Sequence, residues 1–100
     1  MVHWSGSHDV DTNREFLRTV NTRLLAARMR GWVRGNDARF FCECGSHSCT
    51  GRIPLSEREF ERLLRFRNGR VVAPGHARPR ERVLLVTERY VVVATWESAD

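Results

Sequence analysis

Cys42, Cys44 and Cys49 fall in one short run, Cys42-Glu-Cys44-Gly-Ser-His-Ser-Cys49, and a histidine, His76, follows a Pro-Gly pair further on. Thiolates at such spacing are the preferred ligands of a soft or borderline metal, and zinc takes a tetrahedron of sulfur and nitrogen. Three sulfurs leave one position. A Cys₃His set fills it, giving a closed structural centre with no place for water or substrate. Gly45 can take a positive φ and let the backbone fold round an ion. His76 is the preferred fourth ligand, because it closes a long loop and so removes more unfolded-state entropy. His47 is the competitor from within the cysteine loop, where four groups would have to surround one ion with almost no spacer. A further alternative is a redox switch, in which Cys42 pairs with Cys44 or Cys49 in a reversible disulfide when metal is lost.

These ligands must be positioned by elements the sequence also announces. Residues 1–11 read as a flexible lead. Thr12-Asn-Arg-Glu15 has the form of a capping box, and Phe16, Leu17, Val20, Leu24 and Ala27 then fall on one helical face, with Gly31 as the stop. Arg39-Phe-Phe-Cys42 reads as a short strand entering the cluster and Gly51-Arg-Ile-Pro54 as another leaving it. Ser56-Glu-Arg-Glu59 is a second capping box, with Leu55 and Phe60 as its hydrophobic staple. Phe60, Leu63 and Leu64 give the stripe of that second helix, which Asn68-Gly69 ends. Val71-Val-Ala73 is a brief strand before the Pro-Gly-His bend. Val83-Leu-Leu-Val86 and Tyr90-Val-Val-Val-Ala-Thr95 form an antiparallel hairpin around Glu88-Arg89. The whole predicts one α+β domain over residues 12–97, with 98–100 as a tail: an N-terminal helix, a zinc turn, a second helix and a small antiparallel sheet ending in a C-terminal hairpin.

At this point the chain resembles a family of small, largely uncharacterised bacterial proteins. The resemblance rests on Phe40, Cys42 to Gly45, Cys49, Leu55, Ser56, Glu59, Phe60, Pro74 to His76, Glu81 and Val83. It extends to a first helix like that formed by Asn13-Arg-Glu15, Arg18, Val20, Asn21, Arg23 and Leu24. It covers most of residues 13–96. What it implies is a zinc-binding domain in which the cysteine cluster is paired with the Pro-Gly-His, with His76 as a ligand, and it brings no established activity. Phe60 stands where tyrosine is usual, Leu64 where arginine is expected and Ala77 where an acidic residue often follows the histidine. The departures leave the metal set intact.

The 100-residue chain carries 17 basic residues, all arginine, against 12 acidic ones, for a net charge of +5. That balance favours anionic partners. Arg14, Arg18, Arg23, Arg28 and Arg30 on the first helix are the expected anion or partner surface. Nucleic acid is the alternative partner, although most aromatics occupy core-like positions. Trp4, Trp32 and Trp96 are the exceptions, and Trp32, in Arg30-Gly-Trp-Val-Arg34, is expected to pack at the helix end in preference to stacking on a base. The N-terminus lacks a basic start and an apolar run, and no stretch is long enough to span a membrane. The clustered cysteines fit a reducing cytosol. No nucleophile lies beside a base, and the deaminase and phosphate-loop patterns are missing. Glu43 would serve as a base, in a zinc-dependent hydrolase, only if one ligand were absent. The expectation is therefore a small cytosolic, zinc-stabilised interaction or regulatory module and not an enzyme.

Overall fold

A computed structural model of the chain describes residues 6–66 and 68–94. It is an α+β fold. The long helix α1 (Gly6–Met29) is followed by a 3₁₀ turn (Gly35–Ala38) and then by β1 (Phe40–Phe41), β2 (Arg52–Ile53) and the short helix α2 (Glu57–Leu63). β3 (Gly69–Val72), β4 (Arg82–Val86) and β5 (Val91–Ala94) complete the chain. β1 and β2 pair antiparallel, Phe40 opposite Ile53, on either side of the cysteine loop. The other three strands form an antiparallel sheet in the order β3-β5-β4. The expected hairpin is thus present as β4-β5, with a register irregularity between Val83 and Leu85. No described helix is long and apolar enough to cross a membrane.

The core is built where apolar strand residues meet the second helix. Phe40 and Phe60 are fully buried and stack with ring centroids 4.4 Å apart, while Ile53, Leu63, Val71, Val92 and Val93 close around them. The second capping box forms as the sequence predicts: Glu59 N–H donates to Ser56 Oγ at 3.0 Å and Ser56 N–H donates to Glu59 Oε1 at 2.8 Å. Its staple residues Leu55 and Phe60 are both buried. Leu64 is not part of the buried stripe; it caps the end of α2 and lies 40 % exposed.

The first helix differs from expectation at its start and in its orientation. It begins at Gly6, so residues 6–11 are helical and Thr12 is an interior residue. A Thr-x-x-Glu pattern marks a helix start only if the chain upstream is not already helical. Residues 1–5 of the expected lead lie outside the described residues, as do Trp4, Trp96 and the 98–100 tail. Gly31 does end the helix, at φ 76°: Trp32 N–H donates to Ala27 O and Gly31 N–H to Arg28 O, the paired bonds of a Schellman motif.

The orientation is the larger correction. Phe16 is 62 % exposed, and the side of α1 turned to the protein carries Arg14, Arg18, Asn21, Leu25 and Arg28, spaced at successive turns. Arg14 and Asn21 are buried at 3 % and 0 % exposure. The helix is docked through hydrogen bonds and ion pairs to the Glu43, Glu57 and Glu81 carboxylates and to carbonyls of the cysteine loop, β1 and β3. The apolar residues Leu17, Val20, Leu24 and Ala27 flank that contact and are only partly covered.

Candidate metal centre

The strand pair β1-β2 holds the cysteine loop at both ends. Cys42 N–H donates to Gly51 O at 3.0 Å, and Glu43 N–H donates to Val71 O at 2.7 Å, which ties the loop to β3 as well. Gly45 adopts φ 88°, so the loop reverses where a side chain would be strained. From the other side, Ala73-Pro-Gly-His76 closes a turn in which His76 N–H donates to Ala73 O at 3.0 Å and Gly75 sits at φ 85°. Proline followed by a positive-φ glycine is the sequence a type II turn requires. Ala73 also donates its N–H to Cys42 Sγ at 3.2 Å. One turn thereby fixes both a sulfur and the imidazole.

The ligand atoms of Cys42, Cys44, Cys49 and His76 all lie within 4.8 Å of one another. His76 Nδ1 is 3.5 Å from both Cys42 Sγ and Cys49 Sγ. A tetrahedral ion with zinc's bond lengths requires sulfur–nitrogen edges of about 3.6 Å, which both of these His76 contacts match. His47 is exposed in the same loop and is not part of the cluster. The four residues are close enough to hold a metal ion, and the fourth donor is the distant histidine.

Without a cation, burial disfavours the thiolate that Cys42 would present as a ligand. Burial pushes the Cys42 thiol up to about 12, and repulsion from the neighbouring cysteines adds to it, against the backbone N–H groups of Ala73 and Cys44 that favour thiolate. A bound cation reverses that balance. Gly51 N–H donates to Cys49 Sγ at 3.4 Å, a second backbone donor aimed at sulfur.

The loop's outward carbonyls are capped by side chains from elsewhere. Glu43 O accepts from Arg14 Nε at 3.0 Å, Cys44 O from Arg78 Nε at 3.3 Å, and Gly45 O from Asn13 Nδ2 at 3.0 Å. Arg14 in turn forms an ion pair with Glu81, whose Oε1 accepts the Arg78 N–H at 2.8 Å. The segment after His76 is thus folded back over the cysteine loop and fastened to α1.

Glu43, between two ligands, has its carboxylate turned inward and is fully buried. It accepts from Arg18 Nη2 at 2.7 Å and Val71 N–H at 2.9 Å on Oε1, and from Arg18 Nε at 2.8 Å and Asn21 Nδ2 at 2.9 Å on Oε2. Asn21 also exchanges two bonds with the Phe41 backbone, as a strand neighbour would, at 2.8 Å and 3.0 Å. Arg18 Nη2 reaches Gly69 O at 2.7 Å, and its guanidinium lies over Phe60. The network joins α1, the cysteine loop and β3 through one carboxylate.

The expected arginine surface is dismantled by these contacts. Arg14 and Arg18 are spent on the cysteine loop, and Arg28 donates to Glu57 Oε2 at 2.8 Å and to Leu55 O at 2.6 Å, over the Phe40 ring. Arg23 and Arg30 remain exposed. Trp32 is 71 % exposed instead of packed at the helix end, with Arg30 over its ring at 4.9 Å. The sequence offers Glu43 only as a conditional base, and its spacing to Arg14, Arg18, Asn21 and Glu81, all among the residues of the resemblance, gives no local sign of a shared network. No protein-family model, no curated protein and no solved structure matches the chain.

Proposed function

We propose that this is a small zinc-stabilised binding module, in which Cys42, Cys44, Cys49 and His76 hold a structural zinc and the protein acts through its surface on an acidic protein partner. The observation that carries the reading is the convergence of three sulfurs and one imidazole within 4.8 Å. Zinc suits a Cys₃His set, and four protein ligands close its tetrahedron. Catalysis at that ion would need an open position and a nearby base. The carboxylate within the cysteine loop, Glu43, lies outside the ligand group and is fully occupied by four donors. A surplus of positive charge supports an anionic partner. A cytosolic, reducing setting suits free cysteines.

Recovery of tagged protein from its native cell, with and without nuclease treatment, tests the reading. A protein partner retained in fixed ratio after nuclease treatment is the expected result. Recovery of RNA or DNA without a protein partner would overturn it in favour of a nucleic-acid-binding role.

A further inference from the structure

Between the last turn of α1, the loop that follows it and the chain entering α2 lies a cleft of about 800 Å³. Among the described residues, five arginines and two glutamates line it, a surplus of three positive charges. Both glutamates are committed within the fold. Glu57 takes Arg28, and Glu59 takes the Ser56 N–H at 2.8 Å and the Tyr90 hydroxyl at 3.2 Å. Arg28 is equally committed, to Glu57 and to two backbone carbonyls.

The other four arginines are not so held. Arg34 and Arg39 have no ion-pair partner among the described residues, and Arg30 rests on Trp32. Arg89 makes one long contact to Glu59, 3.4 Å, with its side chain 58 % exposed. Val33, Pro54 and Leu55 add apolar wall, and Met29 stands 61 % exposed at the rim. A concave site with unneutralised guanidinium groups concentrates anions, and guanidinium binds carboxylates in pairs of parallel hydrogen bonds.

We propose that this cleft, and not the arginine face of α1, is where the module takes its partner: a short acidic peptide segment with an apolar anchor side chain. The inference rests on the binding-module reading and gives it a surface. An acidic peptide fits better than nucleic acid for two reasons. The apolar wall of Val33, Pro54 and Leu55 beside the guanidinium groups suits an apolar side chain flanked by carboxylates, which a phosphate backbone does not supply. Arg30 covers one face of the exposed Trp32 ring, which competes with base stacking.

The test is fluorescence anisotropy of zinc-loaded full-length protein with a labelled peptide of repeated Asp-Glu-Leu-Asp-Glu-Phe units, in competition with an oligothymidylate of equal charge. Arg34→Glu with Arg39→Glu is compared with Arg23→Glu and Arg80→Glu, an equal charge change outside the cleft. Melting curves and zinc content confirm that both variants are folded. The cleft variant should weaken peptide binding by about tenfold or more, and the control pair by less than about threefold. Equal losses in both variants would overturn the cleft as the site while leaving a binding module with a diffuse surface. Displacement of the peptide by oligothymidylate at lower concentration would overturn the peptide as ligand. Absence of binding to either probe would overturn the inference as well, and recovery of a native protein partner would still decide the module reading separately.

Discussion

Glu43→Gln removes one charge from the most enclosed polar group in the protein while keeping nearly the same shape. The carboxylate accepts four hydrogen bonds, and every one of its partners is a donor. A glutamine keeps one accepting oxygen, but its amide nitrogen must then face either Arg18 Nη2 and Val71 N–H or Arg18 Nε and Asn21 Nδ2. The arginine loses its counter-charge in a place that excludes most water. Breaking a buried pair costs about 3–5 kcal/mol. Arg18 keeps Gly69 O and some solvent access, its side chain being 18 % exposed, so the lower part of the range applies. A loss of about 3–4 kcal/mol corresponds to a fall in melting temperature of roughly 12–32 °C for a chain of this length. Thermal unfolding followed by circular dichroism at saturating zinc measures it. A double-mutant cycle with Arg18→Met should give a coupling above about 1 kcal/mol. Zinc content should hold at its native level, because the carboxylate is not one of the four grouped ligands. A loss below about 0.5 kcal/mol, or additive single effects, would refute the buried pairing.

Gly75→Ala tests the turn that presents His76. An added methyl group meets nothing within 4 Å, so the cost is the positive φ alone, about 1–2 kcal/mol, and zinc affinity in a competition titration should fall by up to about tenfold. Unchanged affinity and stability would mean that the turn does not pre-position the ligand. Ser56→Ala should cost about 1 kcal/mol through loss of the cap on α2, read by denaturant unfolding. Glu59 supplies a pH dependence. The Ser56 N–H, chiefly, with Tyr90 and Arg89, holds its carboxyl below the ordinary range against a smaller opposing effect of burial. Because the folded value is the lower one, the stabilisation is complete above the unfolded value of about 4.3 and is lost as pH falls through the folded value. The difference in melting temperature between the native protein and Glu59→Ala should therefore shrink on acidification through that window. A difference that widened would contradict it.

The parts of the fold written in short-range pattern were legible in the sequence. Ser56 and Glu59 lie three residues apart and interact within one turn, and the β-branched runs around Glu88-Arg89 form a hairpin. Cys42, Cys44 and Cys49 are neighbours, and the Pro-Gly before His76 signals its own turn. What escaped depends on partners far apart in the chain. Arg14, Arg18 and Arg28 read as a solvated face because arginine on a helix is ordinarily exposed. Each is instead drawn inward by a group that no local pattern reveals: the Glu43 backbone and Glu81 for Arg14, the Glu43 carboxylate for Arg18, and Glu57 for Arg28. Phe16, taken as part of the buried stripe, is consequently turned to solvent. The helix start was misplaced for a different reason, since a polar segment without apolar periodicity can still be helical when it continues a docked helix.

The most direct test of the metal centre is elemental analysis of protein purified without added metal, alongside His76→Ala and His47→Ala. One zinc per chain is expected in the native protein. His76→Ala should lower zinc content and melting temperature together, while His47→Ala should change neither, because His76 alone of the two stands 3.5 Å from two of the sulfurs. A native protein free of zinc, or a loss confined to His47→Ala, would contradict a Cys42, Cys44, Cys49 and His76 centre.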